Sequence, residues 1–196
     1  VDELYEIVKD GRITLKSLED RLKTSYVNIA TLEKIAEEKS IPIYTAFAGD
    51  VIAERLRVLS PSRDCYLTLL DESNKTPQME NVFDSTRESI WKFSAYLLNI
   101  AENWNFETLR EGVTTSAENE ASVVLLGQME DETFLLTGDA GLRALSNAMD
   151  YAESELGIEL KDSVSFYQIP HHGGRHNVSP SILNRMIGDK VKEGSA

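Results

Sequence analysis

"SVVLLGQMEDETFLLTGDAG", Ser122 to Gly141, decides the fold class. Two apolar runs, "SVVLLGQ" and "TFLLTGD", flank the polar stretch "MEDE". Apolar runs of this length around a polar turn read as a buried β-hairpin. The second run ends at Asp139, with Gly138 and Gly141 beside it. Glycines there let the backbone turn sharply and come close to a ligand. Leu142, Leu145, Met149, Ala152 and Leu156 then recur at steps of three and four. That spacing is an amphipathic helix, and Gly157 is its stop signal. "VSFYQIP" reads as a third strand, and "SPSILNRMIG" as a last helix with Ser179 as N-cap and Pro180 at its first position. The class is α/β.

Between the third strand and the last helix lies "QIPHHGGRHN", Gln168 to Asn177. It holds all three histidines of the chain, His171, His172 and His176. If the second and third strands are neighbours with aligned ends, Asp139 and these histidines share one rim. Imidazole and carboxylate donors suit zinc first, and also manganese or iron. Asp139 also has a plain structural reading as the N-cap of the helix that follows. A His-His pair likewise occurs as a set of ordinary hydrogen-bond partners. Asn119 and Ser122, in "NEASVVLL", either orient a water or substrate group or cap the strand start.

The first 118 residues carry weaker signals. "VDELYEIV" reads as a helix with Leu4, Ile7 and Val8 on one face. Leu18, Leu22, Tyr26, Ile29, Leu32 and Ile35 recur at helical spacing, with Ser17 and Asp20 as a short capping box and a restart near Ser25 or Asn28. Pro42 opens an extended piece, "IPIYTAF". "RLRVLSP" alternates like a strand, and a short helix begins near Ser62. "ESIWKFSAYLLNIAENW", Glu88 to Trp104, places Ile90, Ser94, Leu97, Leu98, Ala101 and Trp104 along one helix face. Its aromatics read as packing surface. The stretch 74–118 is a helical insertion or a cap over a pocket.

The bulk numbers set outer limits. A length of 196 residues allows one good core. Twenty basic against 33 acidic residues leave a formal charge of −13, which disfavours a general duplex-DNA binder. A bound cation reverses the field inside one cleft, so a nucleotide or nucleic-acid substrate is still compatible. Cys65 is the single cysteine, which rules out an intrachain disulfide framework and a cysteine metal cluster. That usage fits a cytoplasmic setting, and no apolar run has the length of a membrane span. Val1 and the trailing "VKEGSA" read as cut edges of a longer protein.

The order N-x-x-S, then L-L-T-G-D-A-G, then about thirty residues to P-H-H-G-G is the specific feature. It resembles the C-terminal half of the metallo-β-lactamase fold, most closely its DNA-uptake (ComEC-type) branch. There an Asn-x-x-Ser strand, a "TGD" strand end and a "HHGS" loop occur in this order. Gly174 stands here where that branch has serine. The resemblance covers residues 119 to 180 by motif, and the rest only by order of elements.

What the resemblance implies is an αββα sandwich with metals held at one edge of two packed sheets. The chain 1–196 is then a partial domain of that kind, with 74–118 inserted in it. The family reaction is hydrolysis by a metal-bound hydroxide, often of phosphodiesters, which needs no activated side-chain nucleophile. Asp139 takes the place of the bridging aspartate, and His171 or His172 that of the last histidine ligand. Asp139 and His172 become the catalytic candidates. Asn119, Ser122 and His176 are candidates for substrate contact or support of the ligands. Two ions fill the complete site.

The family's main ligand cluster, H-x-[HD]-x-D-H, belongs to the N-terminal half, and this sequence holds no histidine before His171. Two readings follow. In one, the chain is the C-terminal part of a metal-dependent hydrolase acting on a phosphodiester, nucleotide or nucleic acid, and is inactive alone. In the other, it is a non-catalytic interaction module that has lost the cluster.

Overall fold

The computed structural model describes residues 2–8, 14–73 and 109–189. Within them a five-stranded mixed sheet is combined with eight α-helices. The N-terminal helices are α1 (Asp2–Val8), α2 (Leu15–Ser25) and α3 (Val27–Glu38). Strands β1 (Val51–Ile52) and β2 (Leu56–Ser60) follow, then α4 (Arg63–Glu72). Beyond residue 108 come the short helix α5 (Ala117–Glu120), β3 (Val124–Met129) and β4 (Glu132–Leu136). Helix α6 (Leu142–Leu156), the single turn α7 (Leu160–Ser163) and β5 (Phe166–Tyr167) lead to a 3₁₀ turn at Pro170–Gly173 and to α8 (Pro180–Ile187). No described helix is long and apolar enough to cross a membrane.

The sheet runs β1-β2-β3-β4-β5, antiparallel up to β4 and parallel between β4 and β5. The hairpin of β3 and β4 forms as its sequence directs, with Leu126 opposite Leu135 and Gly127 opposite Phe134. Gly127 is there for space. A Cβ would lie 2.2 Å from the Phe134 ring, which lies across the glycine. Because β4 and β5 are parallel, the chain must cross the sheet between them, and α6 makes that crossing.

Helix α6 lies over β2 and β3 and buries Ala144, Leu145, Ala148, Met149 and Ala152. These meet Leu59, Val124, Leu126 and Leu135 from the sheet, and Val178 and Met186 from the last segment. Small alanines let the helix approach the sheet, while Leu145 and Met149 fill the space between. Full burial of each large side chain is worth about 1.5–3 kcal/mol. Gly157 ends the helix at φ 65°, a left-handed cap that glycine adopts without Cβ strain. Ser179 caps α8, accepting the Ile182 N–H at 3.3 Å, with Pro180 at its first position.

Some elements depart from the sequence expectation. The N-cap of α2 is Thr14, whose hydroxyl accepts the Ser17 N–H at 3.2 Å, so the Ser17–Asp20 box does not form. The break between α2 and α3 falls at Tyr26 rather than at Ser25 or Asn28. "VSFYQIP" yields only a two-residue strand, because β5 is an edge and pairs on one side. Among the described residues there is one sheet rather than two. The amphipathic pattern of 88–104 and the insertion's residues 74–108 lie outside the described residues, as do the side chains of Ile7 and Val8.

Candidate functional site

The corner after β4 is held by side chains from three other segments. The Thr137 hydroxyl donates to the Gln168 carbonyl at 2.8 Å. The Gln168 side-chain oxygen accepts the N–H groups of Thr137 and Gly138 at 3.0 and 3.2 Å. The Asp139 N–H donates to the Ser122 hydroxyl at 3.3 Å. Asn177, buried, donates to the carbonyls of Asp139 at 2.7 Å and Ala140 at 3.4 Å. Gly138 turns the chain at φ 54°. The backbone on both sides of Asp139 is therefore fixed, while its carboxylate is left half-exposed and free to meet a ligand.

Asp139 is not the cap of α6. The N-cap position is Gly141, and the buried Glu120 carboxylate caps the helix from outside. It accepts the N–H of Ala144 at 2.8 Å and that of Arg143 at 3.4 Å. A negative charge there satisfies orphan donors and complements the helix dipole. Gly141 makes room for it, since a Cβ would stand 2.2 Å from the Glu120 oxygen. The cap explanation for Asp139 is thereby removed.

Across from this corner, β5 delivers "IPHHGG" to the same rim. The parallel pairing aligns Leu135 with Tyr167, and the Gln168 N–H still reaches the Leu135 carbonyl at 2.9 Å. Next, the His171 N–H donates to the Gly138 carbonyl at 3.1 Å, tying the two loops together. His171 and His172 both adopt left-handed backbone angles, φ 48° and 55°. That conformation costs a residue with a Cβ roughly 1–2 kcal/mol. Both residues are exposed. Such strain is characteristic of functional corners.

His171 Nδ1 comes to 3.4 Å from Asp139 Oδ1, both side chains half-exposed. This exceeds the usual 2.7–3.2 Å of an N–H···O hydrogen bond. The rings of His171 and His172 stand 6.3 Å apart. Gly174 lies against the His171 ring, and a Cβ on it would sit 2.8 Å from His171 Cδ2. The absent serine of the "HHGS" pattern thus leaves room for the His171 ring in this position.

The supporting candidates fall differently. Ser122 contacts the Asp139 backbone as described. Asn119 lies on α5, where its amide donates to the Thr115 hydroxyl at 2.8 Å. His176 is exposed on the loop before Asn177. Gln168, Asn177 and Glu120 shape the corner more directly than Asn119 does. The first two flank the histidine pair in sequence, and that adjacency is the one signal for them.

Among the described residues no group of three or more His, Cys, Asp or Glu side chains is placed to hold a metal ion. An open groove of about 870 Å³ lies elsewhere, between Arg57, Gln128 and Thr133 of the sheet and Glu155 and Ile158 near the end of α6. It includes neither Asp139 nor a histidine, and its rim mixes both charges. The Asp139–His171 corner carries the more specific chemistry. Comparison with protein-family models, curated proteins and solved structures found no match to this chain.

Proposed function

We propose that the Asp139–His171–His172 corner is one wall of a divalent-metal site in a hydrolase of the metallo-β-lactamase type, acting on a phosphodiester, nucleotide or nucleic acid. The observation that carries this is the 3.4 Å separation of Asp139 Oδ1 and His171 Nδ1. Two donors about 2.1 Å from one tetrahedral zinc stand roughly 3.4 Å apart. The donor types and the exposed, backbone-fixed geometry fit zinc. When bound, the metal supplies a Lewis acid and an acidified water. The chain's own part is to hold the carboxylate and imidazoles in register. Ser122 and Asn177 fix the backbone of Asp139, and the Gly138 carbonyl fixes that of His171.

The sheet supports the two-sheet sandwich of this reading. Ile52, Leu56, Val58, Leu125, Phe134, Leu136 and Phe166 share the face opposite Leu126 and Leu135. Val58 is buried, the other six are half-buried or exposed, and Phe166 is 60 % exposed. Continuous apolar strands of this kind belong to sheets covered on both faces, and α6 covers one.

The second reading is a non-catalytic module of the same fold. The lack of a three-ligand group among the described residues is expected on both readings. Zinc titration separates the two. On the hydrolase reading, zinc binds this chain, and Asp139→Ala or His171→Ala weakens binding by about tenfold or more, a loss typical of altered metal sites. Equal zinc affinity in the wild type and both variants would remove the metal and leave the module. In a longer protein that also supplies the H-x-[HD]-x-D-H cluster, metal-dependent cleavage of bis(p-nitrophenyl) phosphate that Asp139→Ala abolishes would establish the reaction class.

A further inference from the structure

The open groove beside the end of α6 is a second place where polar groups converge on a concave surface. Its volume of about 870 Å³ falls within the roughly 300–1,000 Å³ usual for ligand sites. The strand register puts Val51, Arg57, Leu126, Gln128 and Thr133 on the face that forms its floor. Leu156 and Ile158, at the end of α6 and just beyond it, form a wall. Apolar surface is thus combined with a half-buried guanidinium, that of Arg57.

The charges of this groove are not matched within the molecule. Among the described residues no hydrogen bond or ion pair engages the side chains of Arg55, Arg57 or Gln128. Glu54 and Glu130 line the same groove, yet neither carboxylate meets a guanidinium. They stand at φ 60° and 53° in the turns after β1 and β3, left-handed positions where glycine would be relaxed. The two turns lie at one end of the sheet, since the Gln128 N–H donates to the Arg55 carbonyl at 3.1 Å. Strain of this kind is held at ligand clamps, where the surrounding fold over-determines it. A half-buried cation without a counter-charge, and carboxylates kept apart from it, call for a ligand that brings both charges.

We propose that the groove binds a short peptide of about three or four residues by its two free ends. Its α-carboxylate meets Arg57, and its terminal ammonium meets Glu54 and Glu130. Spacing selects a peptide over a single amino acid. Arg57 is paired with Leu126. Glu130 lies four positions further along the chain, about 13 Å away at roughly 3.3 Å per residue. An extended peptide of three or four residues spans about 10–14 Å, whereas one amino acid carries both charges on the same carbon. The unengaged Gln128 amide suits a peptide group, and Leu126, Leu156 and Ile158 suit apolar side chains. The site is separate from Asp139 and independent of the metal reading.

Calorimetric titration of the chain with the tetrapeptide Ala-Leu-Leu-Ala tests this, beside its C-amidated form, its N-acetylated form and free leucine. The wild type should bind the unblocked peptide, and each blocked form and leucine about tenfold more weakly or less, as for a lost charged hydrogen bond. Arg57→Gln should weaken the unblocked peptide by a similar factor and make amidation cost nothing further. Glu130→Gln should weaken it too and reduce the cost of acetylation, while Arg21→Gln on α2 changes neither. Circular dichroism checks that each variant is folded, and the blocked peptides test the wild type without any substitution. Absence of binding at about 1 mM unblocked peptide would overturn the proposal. So would equal affinity for the amidated or acetylated form, or an Arg57→Gln protein that binds as the wild type does. Leucine bound as tightly as the peptide would make this a site for one amino acid and overturn the peptide assignment.

Discussion

The Glu120 carboxylate accepts the Ala144 N–H at 2.8 Å, so α6 is capped by a residue from the segment before the hairpin rather than by its own N-terminal neighbours. This contact ties the start of α6 to the start of β3 and keeps the Asp139 carboxylate out of the capping role. Glu120→Ala is expected to lower stability by about 1–3 kcal/mol, the range for a lost charged hydrogen bond and helix cap. Glu120→Gln retains an acceptor and should lose less. Gly141→Ala should be at least as harmful as Glu120→Ala, because its methyl meets the same carboxylate at 2.2 Å. Urea unfolding of the three variants gives the ranking. A Gly141→Ala protein as stable as the wild type would show that this packing is not as described.

Gly174 controls where the His171 ring sits. A Cβ there would be 2.8 Å from the ring and 3.2 Å from the His171 carbonyl, and the backbone atom cannot swing aside. Gly174→Ser should therefore move the imidazole away from Asp139 and weaken zinc binding severalfold, with little effect on global stability. Calorimetric zinc titration beside a urea curve tests both halves. An unchanged zinc affinity would mean that His171 does not need its present position.

The left-handed conformation of His172 makes a separable prediction. At φ 55° and ψ 26° a glycine is relaxed and any residue with a Cβ is strained. His172→Gly should be more stable than His172→Ala by about 1 kcal/mol, although glycine usually costs stability relative to alanine. Both variants lose the imidazole, so the comparison isolates the backbone. If the alanine variant is the more stable, the loop relaxes and the strain is not built in.

Much of this layout is legible in the chain, for identifiable reasons. The hairpin of Val124–Leu136 can be read because an apolar run, a polar turn and a second apolar run leave few alternatives. Gly157 and Ser179–Pro180 can be read because left-handed caps and proline at N1 are local effects. The capping of α6 cannot. It depends on Glu120 meeting Ala144 in space, and the nearer Asp139 is an equally good cap by sequence. Thr14 likewise displaces Ser17 because helix ends shift by a residue or two with their tertiary setting. At the site, sequence brings Asp139 and the histidines to one rim through strand adjacency. It does not reveal that Gln168 and Asn177 hold the corner, since their bonds go to backbone atoms some thirty residues away or more.

The start of α8 carries an acid-sensitive clasp. Glu111 accepts the Ser181 hydroxyl at 2.6 Å and its N–H at 2.9 Å, which joins the segment from Leu109 onward to the last helix. The Ser181 hydroxyl, and after it the backbone N–H, hold the Glu111 carboxyl below the ordinary glutamate range. A carboxyl depressed in the folded state stabilises the fold fully above its unfolded value, about 4.3. That contribution is lost as pH falls through the lower folded value. Below pH 4.3 the wild type should lose stability that a Glu111→Gln variant has already forgone, so the two urea midpoints should converge on acidification. The exposed position keeps the effect small, and salt should reduce it further. Midpoints measured between pH 7 and 3 provide the check, and a gap that widens towards acid would contradict the assigned role of this clasp.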